Sequence, residues 1–424
     1  MDGLPRSGCA SVLISAIRPL LSLLIGVALL LAGSGLLSTL VAVRGGLEGW
    51  DDQVVGLIMS AYFGGFFLGT FAAPKLIRRI GHVRSFAFYA CLCATVVLLH
   101  PILVEPWTWA VLRLLSGVAL VGLYTVIESW LNASAAVEQR SRIFATYMAI
   151  NLFALAAGQW LLGLFSPLLF VPFSLVAILI CLAALPVTAS RMVQPDTPAS
   201  VHLQLPQLYR LAPAASTGAL LGGLALGAFW GMAAVYATGI GMDLSGVSAL
   251  VSVTILGGAL LQLPIGRLSD RGDRRTALVL ICTLAAVLAG LIMLSAGANR
   301  WLLLSLFFGF GGLLFAVYPV CVAHLLDHLP NEHVLAGCSS LLLLNGIGSA
   351  IGPAIAGTLM SRLGPQALPG FFAVTLLLLA VVVGGRRLVR QRDRDDPAQF
   401  HAMLRTTPSA LELLPETDSD EADA

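Results

Sequence analysis

Among Asp, Glu, Lys and Arg, two residues lie inside long apolar runs where charge is expensive: Arg113 and Glu128. An arginine within a membrane span costs about 2.5–3.5 kcal/mol on insertion scales, so it must face protein or water. At 100° per residue, Arg113, Gly117, Leu120, Tyr124 and Glu128 fall on one stripe of a helix. Arg113 and Glu128 are 15 residues apart, about 22 Å along that helix, so they cannot pair directly. The chemistry on offer is anion binding or tuning of a proton site by Arg113, and proton uptake or gating by Glu128. The plainer alternative has Arg113 capping carbonyls and Glu128 partnering loop arginines.

Other polar side chains in the apolar runs are uncharged. Asn151 and Asn345 hold equivalent places in the two halves of the chain, and Tyr124 and Tyr318 do likewise. With Gln159, Gln262, Trp230 and Tyr236 they suggest the lining of an amphipathic cavity with few charges, although any one of them more often links helices than binds a ligand. His324 and His328 sit at i and i+4 with Asp327 between them, which resembles an inverted zinc-hydrolase motif, but no distant third ligand stands out and a solvated helix end is the simpler reading. No metal or other cofactor is expected. Six of the seven cysteines lie in or beside apolar segments and read as small buried residues. There is no G-x-x-x-x-G-K-[ST] loop for ATP and no basic patch with interleaved aromatics for nucleic acid.

The elements that carry these residues follow from composition. Only 11% of the residues are charged and 58% are apolar, against roughly 25% charged in soluble domains. So little charge cannot cover the surface of a soluble protein of 424 residues, which implies an all-α integral membrane protein. A span needs about 20 apolar residues. Twelve runs qualify: 19–43, 53–74, 85–104, 107–131, 143–164, 168–189, 214–237, 246–265, 276–296, 301–325, 336–360 and 368–385. The first run is too long for a signal peptide, whose apolar core is about 7–15 residues. Residues 1–189 form one six-span half, 190–213 a proline-containing cytoplasmic linker, 214–390 the second half, and 391–424 an acidic tail without a core. The basic residues fall almost entirely on one side of this topology, which predicts both termini in the cytoplasm.

The halves repeat. Tyr124 and Tyr318, Asn151 and Asn345, Gly158 and Gly352, Gly163 and Gly357 are each 194 positions apart. Six spans per half give both halves the same orientation, with a cavity between them near the midplane, as alternating access requires.

The densest cluster of charge is Gly266–Arg275, with Arg267, Asp270, Arg271, Asp273, Arg274 and Arg275 in ten residues, read as a short cytoplasmic loop. Its twin in the first half carries Lys75, Arg78, Arg79, Gly81 and Arg84. The pattern resembles the G-x-L-x-D-R-x-G-R-R signature of the major facilitator superfamily, matching at Gly266, Leu268, Asp270, Arg271, Arg274 and Arg275. It departs at Asp273, where the family has Gly, and the first copy has Arg78 in the acid's place. Arg113–Gly117 resembles the superfamily's fourth-helix arginine motif. Gly348, Gly352, Pro353 and Gly357 are similar to its Gly-Pro hinge motif, with Gln159 at the proline's place in the first half. The run Tyr124–Asn132 resembles the YcaD-like bacterial branch. This resemblance implies the twelve-helix fold of two parallel six-helix repeats. It implies a secondary transporter of the bacterial inner membrane, not an enzyme, that moves a small organic solute, with protons as a conceivable coupling ion through Glu128. The signature stretches would form the cytoplasmic gate. The rival reading is a non-transporting receptor on the same scaffold; a metalloenzyme using His324 and His328 is a third.

Overall fold

The structure is a computed structural model that describes residues 21–134, 140–189, 205–295, 299–327, 329 and 334–385. The expected tail, most of the expected linker and His328 lie outside the described residues. Twelve long helices carry the fold: α1 Leu21–Leu47, α2 Asp52–Ile80, α3 His82–Leu99, α4 Pro106–Ser134, α5 Arg140–Trp160, α6 Val171–Ala189, α7 Pro213–Gly239, α8 Leu244–Asp270, α9 Arg274–Leu294, α10 Arg300–Leu326, α11 Val334–Leu363 and α12 Ala367–Gly385. All twelve are long and apolar enough to cross a bilayer. Even α3, with 18 residues, reaches about 27 Å at 1.5 Å per residue. No strand occurs among the described residues, as expected where lipid offers the backbone no hydrogen bonds and each segment must satisfy its own. A short helix, Leu205–Leu211, lies within the expected linker and packs on α7 and α11.

Polar side chains set the helix starts. Asp51 accepts from Gln53 N–H at the start of α2, Asp243 from Gly246 N–H at α8, and Asn299 from Trp301 N–H at α10. The ten residues read as a loop, Gly266–Arg275, are mostly helix. Gly266–Asp270 finish α8, and Arg271, Gly272 and Asp273 alone link it to α9. Asp273 accepts from the N–H groups of Arg275 and Thr276, so the residue that departs from the family pattern is the N-cap of α9. In the first copy, Lys75–Ile80 finish α2, and Gly81, at φ 82°, is the sole link to α3. Only glycine takes that conformation without strain. The expected sixth span starts late, at Val171, and the fifth ends in a 3₁₀ turn, Leu161–Leu164. Arg44, one residue past the first apolar run, sits in the last turn of α1, where Nε donates to Glu48 at 2.6 Å and Nη1 to the Pro167 carbonyl at 2.9 Å. Cys91 and Cys181 are exposed on the outside of the bundle rather than buried.

The two halves pack alike. In the first, α2 lies on α4, α1 on α5 and α6, and α3 on α4 and α6; in the second, α8 lies on α10, α7 on α11 and α12, and α9 on α10 and α12. Glycines let these backbones touch. A Cβ on Gly65 would overlap the Leu114 carbonyl, and one on Gly117 the Tyr62 carbonyl; Gly257 and Gly311 stand in the same way against Phe308 and Thr254. Gly64, next to Gly65, has nothing within 4 Å of an added Cβ.

Two neighbouring substitutions separate packing from propensity. Gly65→Ala is expected to destabilise the protein by about 1–3 kcal/mol through overpacking. Gly64→Ala is expected to be neutral or stabilising by up to about 1 kcal/mol. Thermal unfolding of both variants in one detergent checks the contrast; equal effects would contradict the crossing geometry.

Candidate functional site

The two halves meet along one end of the bundle, the end away from the Arg271–Asp273 turn. There Gly56 of α2 lies so close to Pro353 and Gly357 of α11 that a Cβ would overlap the Pro353 carbonyl. Ser60 Oγ accepts from Ala354 N–H at 3.0 Å, and Ser361 Oγ donates to Asp51 Oδ2 at 2.9 Å. Ser252 Oγ of α8 donates to the Ala156 carbonyl of α5 at 3.0 Å, and Ser38 Oγ of α1 donates to the Trp230 carbonyl of α7 at 3.4 Å. Toward the turn end, α4 and α10 make no extended contact among the described residues. Between α2 and α11, from mid-depth toward that end, lies a cavity lined by Phe63, Phe66, Phe67 and Thr70 on one side and Leu342, Leu343, Asn345, Gly346 and Ser349 on the other. Asn345 is the only residue expected from sequence that lines it.

Glu128 is fully buried in α4 and accepts from Tyr147 Oη of α5 at 3.0 Å. Asn151, one turn on from Tyr147, donates to the Tyr147 carbonyl at 2.8 Å. Tyr147 was not singled out from sequence, because one more aromatic in a span carries no signal. Its place one turn before Asn151, on the same helix face, was the available clue. Asn345 acts differently from its repeat mate, donating from Nδ2 to the Ala219 carbonyl of α7 at 3.1 Å.

Arg113 is 1% exposed, with its guanidinium carbon 4.4 Å from the centroid of the Tyr62 ring, a cation–π contact within the first half. His100, in the turn after α3, belongs to the same neighbourhood. Burial, with Arg113 adding to it, pushes its imidazole down to about 3 against the opposing pull of its Val96 carbonyl contact. His100 is therefore neutral, and its ring stacks on Phe173 at 6.0 Å. Gln159 and Gln262 are helix links. Gln159 Nε2 donates to the Gly35 carbonyl at 3.0 Å while its Oε1 accepts from Thr39, and Gln262 Nε2 donates to the Phe315 carbonyl at 3.0 Å. Tyr236 is buried against Phe307, Tyr318 and Tyr124 are buried in α10 and α4, and half-buried Trp230 packs edge-on against Phe229 and Phe315. Of the expected hinge residues, Gly348 and Gly352 seat against the Leu220 and Leu224 carbonyls of α7, while Pro353 and Gly357 meet Gly56.

The sequence pattern of the Major Facilitator Superfamily matches residues 23–215 and again 215–414, once per half. The chain belongs to that superfamily. It is a multi-pass membrane transporter built from two six-helix repeats. An MFS-type transporter of Enterobacter sp. (strain 638) is 30% identical over 347 residues, covering 81% of this chain and 90% of its own. YcaD of Salmonella typhimurium is 29% identical over 350 residues, with the same coverage of 81% and 90%. Among solved structures, a variant of the nucleoside transporter NupG is similar with TM-score 0.74 at 14% identity, over 87% of this chain and 99% of that one. A bacterial homolog of the human lysosomal transporter Spinster, in an inward-facing and unoccupied conformation, gives TM-score 0.64 at 13% identity over 94% and 96%.

In this transporter the signature turn is organised by Arg274 rather than Arg271. Arg274 is 4% exposed; its Nη1 meets Asp270 Oδ1 at 2.9 Å and its Nε meets Asp327 Oδ2 of α10 at 2.8 Å. One guanidinium thus ties α8, α9 and α10 together, in the forked geometry that only arginine offers. Arg271 is exposed, as are Arg78, Arg79 and Arg84 of the first copy, while Arg275 is partly buried. Arg274→Ala leaves two carboxylates without their cation. It is expected to destabilise at the lower end of the about 3–5 kcal/mol that breaking a buried pair costs. Arg271→Ala should stay within about 0.5 kcal/mol of wild type. Thermal melts of the two variants decide it, and equal losses would remove Arg274 from the centre of the turn.

Proposed function

We propose that this protein is a secondary transporter that moves a small organic solute across the bacterial inner membrane by alternating access, with both termini in the cytoplasm. The observation that carries the reading is the asymmetry of the seam. The halves are tightly joined at one end and apart at the other, with a cavity opening toward the parted end. The excess of arginine at that end supports placing it in the cytoplasm, which makes the conformation inward-facing in this reading. Closing α4 against α10 while parting α1 from α7 would turn the same cavity outward.

Protons are the coupling ion in this proposal, and Glu128 is the group that takes them. It is a buried acid on a helix that must move, held by a tyrosine on the neighbouring helix. Losing a proton there changes a neutral contact into a charged one and so biases one packing over another.

Single cysteines in a background free of the native ones test the cycle. Thr70→Cys should react with an impermeant thiol reagent from the cytoplasmic side, and Ser252→Cys from the opposite side. Crosslinking Asp51→Cys to Ser361→Cys should abolish the second reaction alone. A protein that labels Ser252→Cys from neither side does not alternate. The ratio of the two reactions should shift with pH in the wild type and lose that shift in Glu128→Gln. Parallel pH profiles would remove Glu128 as the proton site.

A further inference from the structure

We propose that the acidic segment 412–424 docks on a cationic patch at the α2–α3 turn, forming a strap from the second half of the protein to the first. Lys75, Arg78 and Arg79 stand at i, i+3 and i+4 in the last turns of α2, and Arg84 follows in the first turn of α3; all four are exposed. Like charges at that spacing repel across one helix face, and a cation in the first turn of a helix opposes the helix dipole as well. The sequence holds no Asp or Glu between Asp52 and Glu105, and both of those lie at the opposite end of the bundle. Among the described residues, no ion pair includes any of the four cations.

The second half shows the same turn with its charge balanced. There Arg274 is held by Asp270 and Asp327, and Asp273 caps α9. The corresponding link in the first half is Gly81, and α3 starts with no side-chain cap and no acid in its first turn. Four cations beside an uncapped helix start favour carboxylates.

The chain carries a matching set. Glu412, Glu416, Asp418, Asp420, Glu421 and Asp423 fall within 13 residues that contain no Lys or Arg. The segment also has the reach. Ser361, near the end of α11, bonds Asp51 at the start of α2. Helix α12 runs back from there, so Gly385 lies at the end of the bundle where α2 finishes. Because α12 packs on α11 and α11 on α2, and neighbouring axes are about 8–10 Å apart, Gly385 and the patch are separated by about 20 Å. The 27 positions from Gly385 to Glu412 cover about 40 Å as a helix and about 90 Å extended, and either exceeds the gap. A tether of this kind gives an effective concentration in the mM range, so a weak, exchangeable contact is populated. Arg267 and Arg271 of the second half are exposed at the same end, so the docked segment also lowers the repulsion between the two basic turns when the halves approach.

Lys75 is the only lysine in the sequence, which makes zero-length carbodiimide coupling specific. The reagent activates a carboxylate, the Lys75 amine displaces the activating group as a urea, and an amide remains only where the two were in contact. The full-length protein is treated in nanodiscs of phosphatidylcholine, with and without phosphatidylglycerol, and Lys75 adducts are sequenced by mass spectrometry. Lys75 should be joined to segment 412–424 of the same copy in both lipids at about 0.01 M salt. The yield should fall by about tenfold or more at about 1 M, where the Debye length drops from about 30 Å to about 3 Å. A second measurement needs no coupling. Replacing the six acids by Gln and Asn alters none of the twelve helices and should speed acetylation of Lys75 by a soluble ester about threefold, the protection expected when the effective concentration is about twice the dissociation constant. Coupling of Lys75 to Glu138, which lies outside the described residues, in place of the segment would mean that the patch is balanced within its own half. An adduct that disappears with phosphatidylglycerol would give the patch to the membrane surface. No adduct together with an unchanged acetylation rate would leave the segment undocked. Each of these three results overturns the strap. The strap rests on the fold alone, so none of them bears on alternating access, which the cysteine labelling reads separately.

Discussion

Everything about this molecule's two-ended character depends on the contact between α2 and α11 at Gly56, Pro353 and Gly357. Lipid gives apolar helices no reason to prefer each other over acyl chains, so helix association must come from close packing and hydrogen bonds. Here the missing side chains of two glycines bring backbone against backbone. Ser60 and Ser361 add hydrogen bonds across the same crossing. Because those contacts are confined to one end, the halves can part at the other, and the cavity exists only because they do.

The charges follow an opposite logic. They are handled inside each half rather than between halves: Arg113 over Tyr62, Arg44 with Glu48, Glu128 with Tyr147, and Arg274 with Asp270 and Asp327. Each half is therefore electrostatically settled as a body, and relative motion of the bodies need not break these pairs. That is a condition for rigid-body rocking, and it leaves the interface itself, apart from Asp51 at its rim, to small and uncharged residues.

The sequence made the architecture legible because the bilayer fixes span length and a duplicated chain shows its offset. All twelve spans and the parallel repeat could be read without a structure. Helix ends were less legible. Gly266–Asp270 looks like a loop by charge, yet nothing in it breaks a helix, and only the cap at Asp273 marks where the next begins. The site was legible in part. Arg113 and Glu128 stand out by cost, but the direction each faces depends on partners in other helices, Tyr62 and Tyr147, that carry no mark of their own. Arg274 rather than Arg271 organises the turn because of Asp327, 53 residues downstream, a choice no local pattern encodes. Asn151 and Asn345 are equivalent in the repeat and used differently: Asn151 donates to its own helix, whereas Asn345 donates to α7 and lines the cavity.

The seam that closes the far end joins serine hydroxyls, backbone groups and glycines; its one acidic side chain is Asp51, already exposed to water, and no ion pair crosses it among the described residues. Opening it strands no buried charge, so the resistance to opening is set by packing and is indifferent to ionic strength. Screening acts instead at the opposite end, where exposed arginines face the solvent. The two ends of one pathway thus answer to different properties of the medium: one to temperature and lateral pressure, the other to salt.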